Sequence, residues 1–542
     1  MNTKSLTDEV FHIGPADLPA TASVDSLGFK AWNLARMTGA GMRVPPAFVL
    51  STAWCGAWKS SAGRLPQLET VLSDNVRRLE QRTGRVFGGS RRPLLVSVRS
   101  GAPVSMPGMM ETLLDIGLCD ATADGLLRAT GNPRLVWDSY RRLVKSYAEV
   151  VFAMPSGAFD SLLDPHLAAA GVSTSADLDF HALREVTRES LALFRRLTGR
   201  DFPQNPREQL ARAAEAVFDS WDSQKAASFR RLNGIPDHLG TAVTVQAMVF
   251  GNGGGTSGSG VAFTRDPATG ERRLYVDFQF NAQGEDVVSG RHALTASDLL
   301  RQRLPAVAEE LQDVAALLES EFQDMQEFEF TVEDGVLYLL QTRSGKRTPW
   351  AAVVIAVEQV REGLVASTEA LARLDGLDVE SVSRRRCVAG GGRARLARAL
   401  SAGPGVATGC IALTTDVAQE LHRSGKRVIL VRDDIATDDI EGIAVADGIL
   451  TALGGRTSHA AVVARQMDKV CLVGCASLRC DPGRGGLRIG ESILREGDCI
   501  TLDGDSGEVW GGELATVVER PEAWLEDVRS WLVPLATERM SA

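Results

Sequence analysis

Residues 325–343 read Met325-Gln326-Glu327-Phe328-Glu329-Phe330-Thr331-Val332-Glu333-Asp334-Gly335-Val336-Leu337-Tyr338-Leu339-Leu340-Gln341-Thr342-Arg343. Acids and phenylalanines alternate with a period of two, so a strand here puts Glu327 and Glu329 on one face and both rings on the other. The turn signal Glu333-Asp334-Gly335 folds the chain back into a second apolar run that ends in Gln341 and Arg343. With all three turn residues in the loop and Gly335 at positive φ, Gln341 falls opposite Glu327 and Arg343 shares that face; a two-residue Asp-Gly loop gives the other register. Two carboxylates and an amide oxygen on one surface are hard ligands suited to Mg²⁺ bridging nucleotide phosphates, the alternative being a solvated strand face.

Upstream, 242–250 and 261–264 read as strands around Gly251-Asn252-Gly253-Gly254-Gly255-Thr256-Ser257-Gly258-Ser259-Gly260. A loop of this kind, with Gly253, Gly254, Gly255 and Thr256 at its centre, offers backbone N–H groups to phosphate oxygens, or is an open hairpin. It lacks the Gly-Lys-Ser/Thr ending of a Walker-type loop. Further back, 94–99 reads as a buried strand delivering Arg99 at its end to the loop 105–110. Arg99 there suits a two-pronged grip on phosphate, or a structural salt bridge. The segment 28–37 has helical spacing, with Lys30 near its start; a cation where the dipole prefers anions is a phosphate contact or a surface lysine. Between about 120 and 235 apolar residues recur three and four apart, which predicts a helical insertion to which no chemistry is assigned.

Downstream, 344–349 closes the first unit, a helical stretch follows, and Ser383-Arg384-Arg385-Arg386 with Gly390-Gly391-Gly392 marks a boundary. A second α/β unit then contains strand-like 427–431, a helix over 438–443, and Gly454-Gly455-Arg456-Thr457-Ser458-His459-Ala460-Ala461-Val462-Val463-Ala464-Arg465. The glycines permit a tight turn, Thr457 or Ser458 caps the helix, and His459 lies in its first turn. The dipole disfavours imidazolium there, keeps a neutral ring nitrogen ready to attack phosphorus, and favours the phosphoryl group so gained. The alternative is a capping or packed histidine. After residue 515, Trp524, Leu525, Val528 and Trp531 form an apolar stripe, read as a docking surface for a partner chain.

At 542 residues the chain is too long for one core, and two to four domains are expected. Hydrophobic content of 44% with 24% charged residues describes a soluble globular protein, and the net charge of −10 argues against a nucleic-acid or anionic-membrane binder while allowing a local basic pocket. No stretch is apolar enough to span a bilayer and the N-terminus lacks a signal-peptide core, so a cytoplasmic location is expected. The eight cysteines show no CxxC spacing. Even the loose group Cys471, Cys475, Cys480 and Cys499 reads as reduced thiols rather than a metal site.

The segments LLVSVRSGAPVSMPGMMETLLDIGL, GTAVTVQAMVFGN, SGSGVAFTRDPATGE, NAQGEDVVSG, MQEFEFTVEDGVLYLLQTRSGKRT and GGRTSHAAVVAR resemble the pyruvate, phosphate dikinase family, in family order and across most of residues 25–515. The resemblance implies an α/β and α+β multidomain chain: an ATP-grasp nucleotide-binding domain (1–345, with the helical insertion), a linker (346–394), a swivelling phosphohistidine domain (395–515) and a C-terminal tail (516–542). Carried over by position, Lys30, Arg99, Gln246 and Arg343 match nucleotide or phosphate contacts. Glu327, Glu329 and Gln341 match the metal and nucleotide-phosphate face, and His459 matches the phosphorylated histidine. Thr457 matches a threonine that is regulatory in some relatives.

Departures accompany these matches. Phe29 replaces a glycine, Glu327 stands for aspartate and Asp277 for glutamate, residues 466–469 lack the family's glycines, and the family's barrel for pyruvate and phosphoenolpyruvate has no counterpart in this sequence. The expectation is therefore a phosphotransferase using ATP and Mg²⁺ that forms phosphohistidine at His459 and releases AMP. Closer likeness to the dikinase than to the water-using synthase implies inorganic phosphate as co-substrate, giving pyrophosphate. The acceptor is a small molecule or a partner chain, and a homo-oligomeric state is left open. The alternative is a nucleotide-responsive regulator in which Phe29 and Glu327 have disabled turnover.

Overall fold

The computed structural model describes the chain outside residues 1–5, 15–21, 105, 107–111, 156, 173, 285–286, 288–296, 389–393, 436–438, 455–460, 462, 465–466, 468 and 541–542. It divides into two compact units: Met1–Gly254 with Tyr338–Gln341, and Gly255–Leu337 with Thr342–Ala542. Among the described residues no helix is long and apolar enough to cross a membrane.

The first unit is built on a five-stranded antiparallel sheet in the order Val10–Ile13, Ala47–Leu50, Ala242–Ala247, Val96–Gly101, Thr112–Ile116. Val96, Val98, Val243 and Val245 enter one large core with the helical segments predicted between 120 and 235, which include Pro133–Phe152, Phe180–Thr198 and Pro206–Ser220. Phe48 and Leu50 join them, as the period of two requires. The register pairs Arg99 with Thr244 and Ser97 with Gln246, so these four polar residues share the opposite face. The strand expected to end at Arg99 continues to Gly101, because Gly101 still pairs with Ala242.

The helix expected over 28–37 spans Val24–Gly39 and is interrupted at Gly28, whose φ of 74° is non-helical. A β-carbon on Gly28 would lie 2.0 Å from the Gly101 carbonyl oxygen, so glycine is required both for the turn and for this approach. Helical geometry restarts at Phe29, whose amide donates to Ala102 O at 2.8 Å.

A four-stranded sheet has the order Val336–Ser344, Gln326–Glu333, Gly258–Phe263, Tyr275–Phe280. The strands flanking the glycine-rich loop thus belong to different sheets, which rules out the open-hairpin reading. Further along lies an eight-stranded sheet, ordered Arg395–Arg398, Glu508–Gly511, Cys499–Asp503, Val406–Ala412, Val428–Arg432, Gly448–Thr451, Val470–Val473, Leu400–Gly403. From Val406–Ala412 to Val470–Val473 the neighbours are parallel. Each face of this sheet carries its own apolar cluster. The strands Arg384–Cys387 and Thr516–Glu519, which lead into and out of this sheet, pair antiparallel with each other.

The C-terminal stripe does not form a docking surface. Leu525 and Val528 are fully buried against the helix Pro349–Arg361 and its surroundings, Trp524 and Trp531 pack on the same cluster, and Trp524 Nε1 donates to Glu358 Oε1 at 2.7 Å. The amphipathic pattern is satisfied within the chain.

Candidate functional site

In Gln326–Glu333 the alternation read from the sequence holds. Phe328 and Phe330 are buried, with Phe330 stacked on Phe278 at 5.8 Å. Glu327 pairs with Phe263, while Glu329 pairs with Val261, which pairs in turn with Asp277. Direct partners share a face, so Glu327, Glu329 and Asp277 stand on one surface of the sheet, opposite the rings. Glu327 and Glu329 are separated by about 7 Å along the strand, and Glu329 and Asp277 by two strand spacings, about 10 Å. Asp277 joins the acids only through this long-range register.

The hairpin turn takes the tighter of the two forms the sequence allows. The strands end at Glu333 and resume at Val336, leaving a two-residue loop in which Asp334 (φ 49°) and Gly335 (φ 79°) both have positive φ. That is the tight turn matched to strand twist. Farther along, Thr342 Oγ1 donates to Gln326 Oε1 at 3.0 Å and to Glu327 O at 3.3 Å. Arg343 still reaches Glu327, donating from Nε at 3.0 Å and from Nη2 at 2.6 Å. Burial disfavours the charged guanidinium, but the bonds to Glu327 outweigh it and hold the Arg343 pKa above its usual value.

Lys346, which the sequence reading passed over, is tuned by the same group. Partial desolvation and the Arg343 charge lower its pKa against the pull of Glu327. The loop and hairpin are tied together: Gly335 N donates to Thr256 O at 2.9 Å, and Asp334 N donates to Ser257 Oγ at 3.0 Å. Gly255 and Thr256 are exposed, while Gly253 and Gly254 are half-buried.

In the first unit, Arg99 Nη1 donates to Leu340 O at 3.1 Å, and Leu339 N donates to Arg43 O at 2.9 Å, which fixes Tyr338–Gln341 beside Arg99. Gln246 is buried, and its Nε2 donates to Pro45 O at 3.1 Å. Lys30 follows the interruption at Gly28, one residue after the amide bonded to Ala102, close to the end of the Arg99 strand.

A buried clamp supports the acidic sheet and was also missed from sequence. Arg265 is fully buried; its Nε and Nη2 donate to Glu319 at 2.9 and 2.8 Å, and its Nη1 and Nη2 donate to Glu362 at 3.1 and 2.6 Å. These bonds join the turn after Gly258–Phe263 to the helices Pro305–Phe322 and Pro349–Arg361.

His459 and Thr457 lie outside the described residues. The connection that contains them leaves the carboxyl end of Gly448–Thr451 and returns as the parallel strand Val470–Val473. Within it Ala461 and Ala464 are helical and fully buried. Among the described residues no group of three or more His, Cys, Asp or Glu side chains is placed to hold a metal ion.

Comparison with known proteins matches residues 64–299 to the family model "Pyruvate phosphate dikinase, AMP/ATP-binding domain" and residues 425–507 to "PEP-utilising enzyme, mobile domain". Similar curated proteins include pyruvate, phosphate dikinase of Clostridium symbiosum, 42% identical over 509 residues, covering 93% of this chain and 58% of that protein. The Rhizobium meliloti (strain 1021) enzyme of that name is 43% identical over 504 residues, covering 90% and 56%. Pyruvate, phosphate dikinase 2 of Zea mays is 40% identical over 546 residues, covering 96% and 60%. The chain thus spans somewhat under two thirds of the length of these relatives.

Proposed function

Over the residues it spans, this chain belongs to the pyruvate, phosphate dikinase family, and on that premise we propose that it is an ATP-dependent phosphotransferase that forms phosphohistidine at His459. The observation that carries this reading is the acidic face of Glu327, Glu329 and Asp277, backed by buried rings and charge-paired through Arg343. Its oxygen donors fit a hard divalent cation with a nucleotide: Glu327 and Glu329 would hold Mg²⁺, which neutralises phosphate oxygens. Asp277, about 10 Å from Glu329, is left to contact another part of the nucleotide. Gly253, Gly254, Gly255 and Thr256 offer backbone N–H groups to phosphate, Arg343 and Arg99 grip phosphate oxygens, and Lys30, Gln246 and Gln341 complete the nucleotide contacts.

The neutral imidazole of His459 attacks phosphorus and AMP leaves; inorganic phosphate takes the terminal phosphoryl group, giving pyrophosphate. The segment 395–515 acts as the mobile carrier between the linker 346–394 and the tail 516–542, turning on the paired strands Arg384–Cys387 and Thr516–Glu519. It delivers the phosphoryl group to a small-molecule or protein acceptor.

The test is incubation with ATP, Mg²⁺ and phosphate, measuring AMP, pyrophosphate and acid-labile label. The expected result is label on His459 that is absent from His459→Ala. Label that survives in that variant refutes the reading, and nucleotide binding without AMP formation selects the regulator instead.

A further inference from the structure

The eight-stranded sheet places two thiols directly across from each other. Val406–Ala412 and Cys499–Asp503 are antiparallel neighbours, and their register ends with Cys410 opposite Cys499. The hydrogen bonds around this pair identify its type. Ile411 N donates to Asp498 O at 2.9 Å and Gly497 N donates to Ile411 O at 2.9 Å, so the next position along the ladder is the hydrogen-bonded one. Gly497, at φ 87°, makes a bulge there. Cys410 N donates instead to Arg427 O on its other neighbour, and Cys499 O accepts from Gly512 N on its own other side.

Cys410 and Cys499 therefore form a non-hydrogen-bonded pair, the close type, with α-carbons about 4.5 Å apart. That spacing lies at the near end of the range a disulfide spans, about 4.4–6.8 Å. Two residues along the same face, the equivalent pair Thr408 and Thr501 brings its hydroxyl oxygens to 2.8 Å, which shows that side chains across this ladder meet. Cys410 is half-buried and Cys499 is exposed, so one thiol is open to solvent and the other stands behind it.

We propose that Cys410 and Cys499 are a redox modification site, oxidised to an intramolecular disulfide by exchange with a low-molecular-weight disulfide. The exposed Cys499 thiolate attacks one sulfur of the reagent, forming a mixed disulfide and expelling one thiolate. The Cys410 thiolate then attacks Cys499 Sγ in that mixed disulfide, closing the protein disulfide and expelling the second thiolate. The two cysteines lose two protons and two electrons; the reagent gains both electrons and ends as two thiols. The new bond staples two central strands of the sheet without involving the proposed phosphohistidine.

The test treats the folded full chain with glutathione disulfide, quenches with acid, denatures, alkylates and maps the cysteine peptides. The expected product is one linked pair, Cys410 with Cys499, lacking two hydrogen atoms and reopened by dithiothreitol, with the other six of the eight cysteines alkylated. In Cys410→Ser, Cys499 should stop at the glutathione adduct; in Cys499→Ser, Cys410 should remain alkylatable. Wild-type protein whose Cys499 stops at the adduct, joins another cysteine or fails to react overturns the proposal. Oxidation after unfolding should scatter the pairings, and a Cys410–Cys499 product that persists there would show that the sheet does not direct the reaction.

Discussion

Replacing Arg265 by methionine should separate the acidic sheet from its support more than any other single change outside the candidate site. Arg265 is fully buried and makes two-pronged contacts to both Glu319 and Glu362. Methionine fills much of the same space but leaves the Glu319 carboxylate, itself only 7% exposed, with Thr264 Oγ1 as its remaining donor at 2.6 Å. Removing one member of a buried pair costs about 3–5 kcal/mol, chiefly from stranding the other charge. Glu362 is better solvated and lies 3.6 Å from Arg272, so it contributes the smaller part. Because the chain has two units, a single unfolding midpoint is not the right measure. Hydrogen exchange in peptides covering 258–263 and 326–333 reads the local opening free energy directly. Arg265→Met should lower it by about 3–5 kcal/mol, and adding Glu319→Leu should restore a large part, since an apolar pair strands no charge. A loss below about 1 kcal/mol, or no recovery in the double variant, would refute the claim that Arg265 neutralises these carboxylates as the support of the sheet.

Gly28→Ala should be costly at a position where size alone predicts little. The added carbon would meet the Gly101 carbonyl at 2.0 Å in a backbone conformation at φ 74°. Strain of about 1–3 kcal/mol is expected from the conformation before the clash is counted, with weaker nucleotide binding by calorimetry as Lys30 shifts; Gly39→Ala, which meets nothing within 4 Å, is the control. Asp138 supplies a pH signature in the first unit. Burial raises its pKa, but Arg142 and Arg141 outweigh burial and hold it at about 2. A carboxylate depressed on folding contributes stability above its unfolded pKa, about 3.9, that is lost as pH falls toward its folded value; here that amounts to about 2.5 kcal/mol. Acid unfolding of Asp138→Asn should lack this component between about pH 4 and about pH 2.

What could be read from the sequence was what repeats locally. The acid-and-ring alternation of 326–330 needed only the pleat, and the helical spacing of 120–235 needed only one apolar face. The length of the hairpin loop turned on whether Glu333 belonged to the strand or the loop. Positive φ at Asp334 as well as Gly335 decided it. Asp277 joined Glu329 through Val261, a partnership between strands far apart in sequence that no local pattern encodes. Arg265 carried no sequence signal because a buried arginine is recognised by its partners, and these lie 54 and 97 residues away. The stripe at Trp524 and Leu525 showed that a face is buried without showing what buries it, and the helix Pro349–Arg361 of the same chain does so.

The pairing of Arg384–Cys387 with Thr516–Glu519 also bears on how such a chain is assembled. Arg384 lies opposite Glu519 and Cys387 opposite Thr516, so everything between them starts and finishes about 5 Å apart. A segment with adjoining ends can be inserted into, or lifted out of, a host chain with little loop-closure entropy on either side. The stretch between them is in that sense a cassette. Residues 384–519 expressed alone would retain their closing ladder, and a short peptide in their place would leave the host strands within bridging distance.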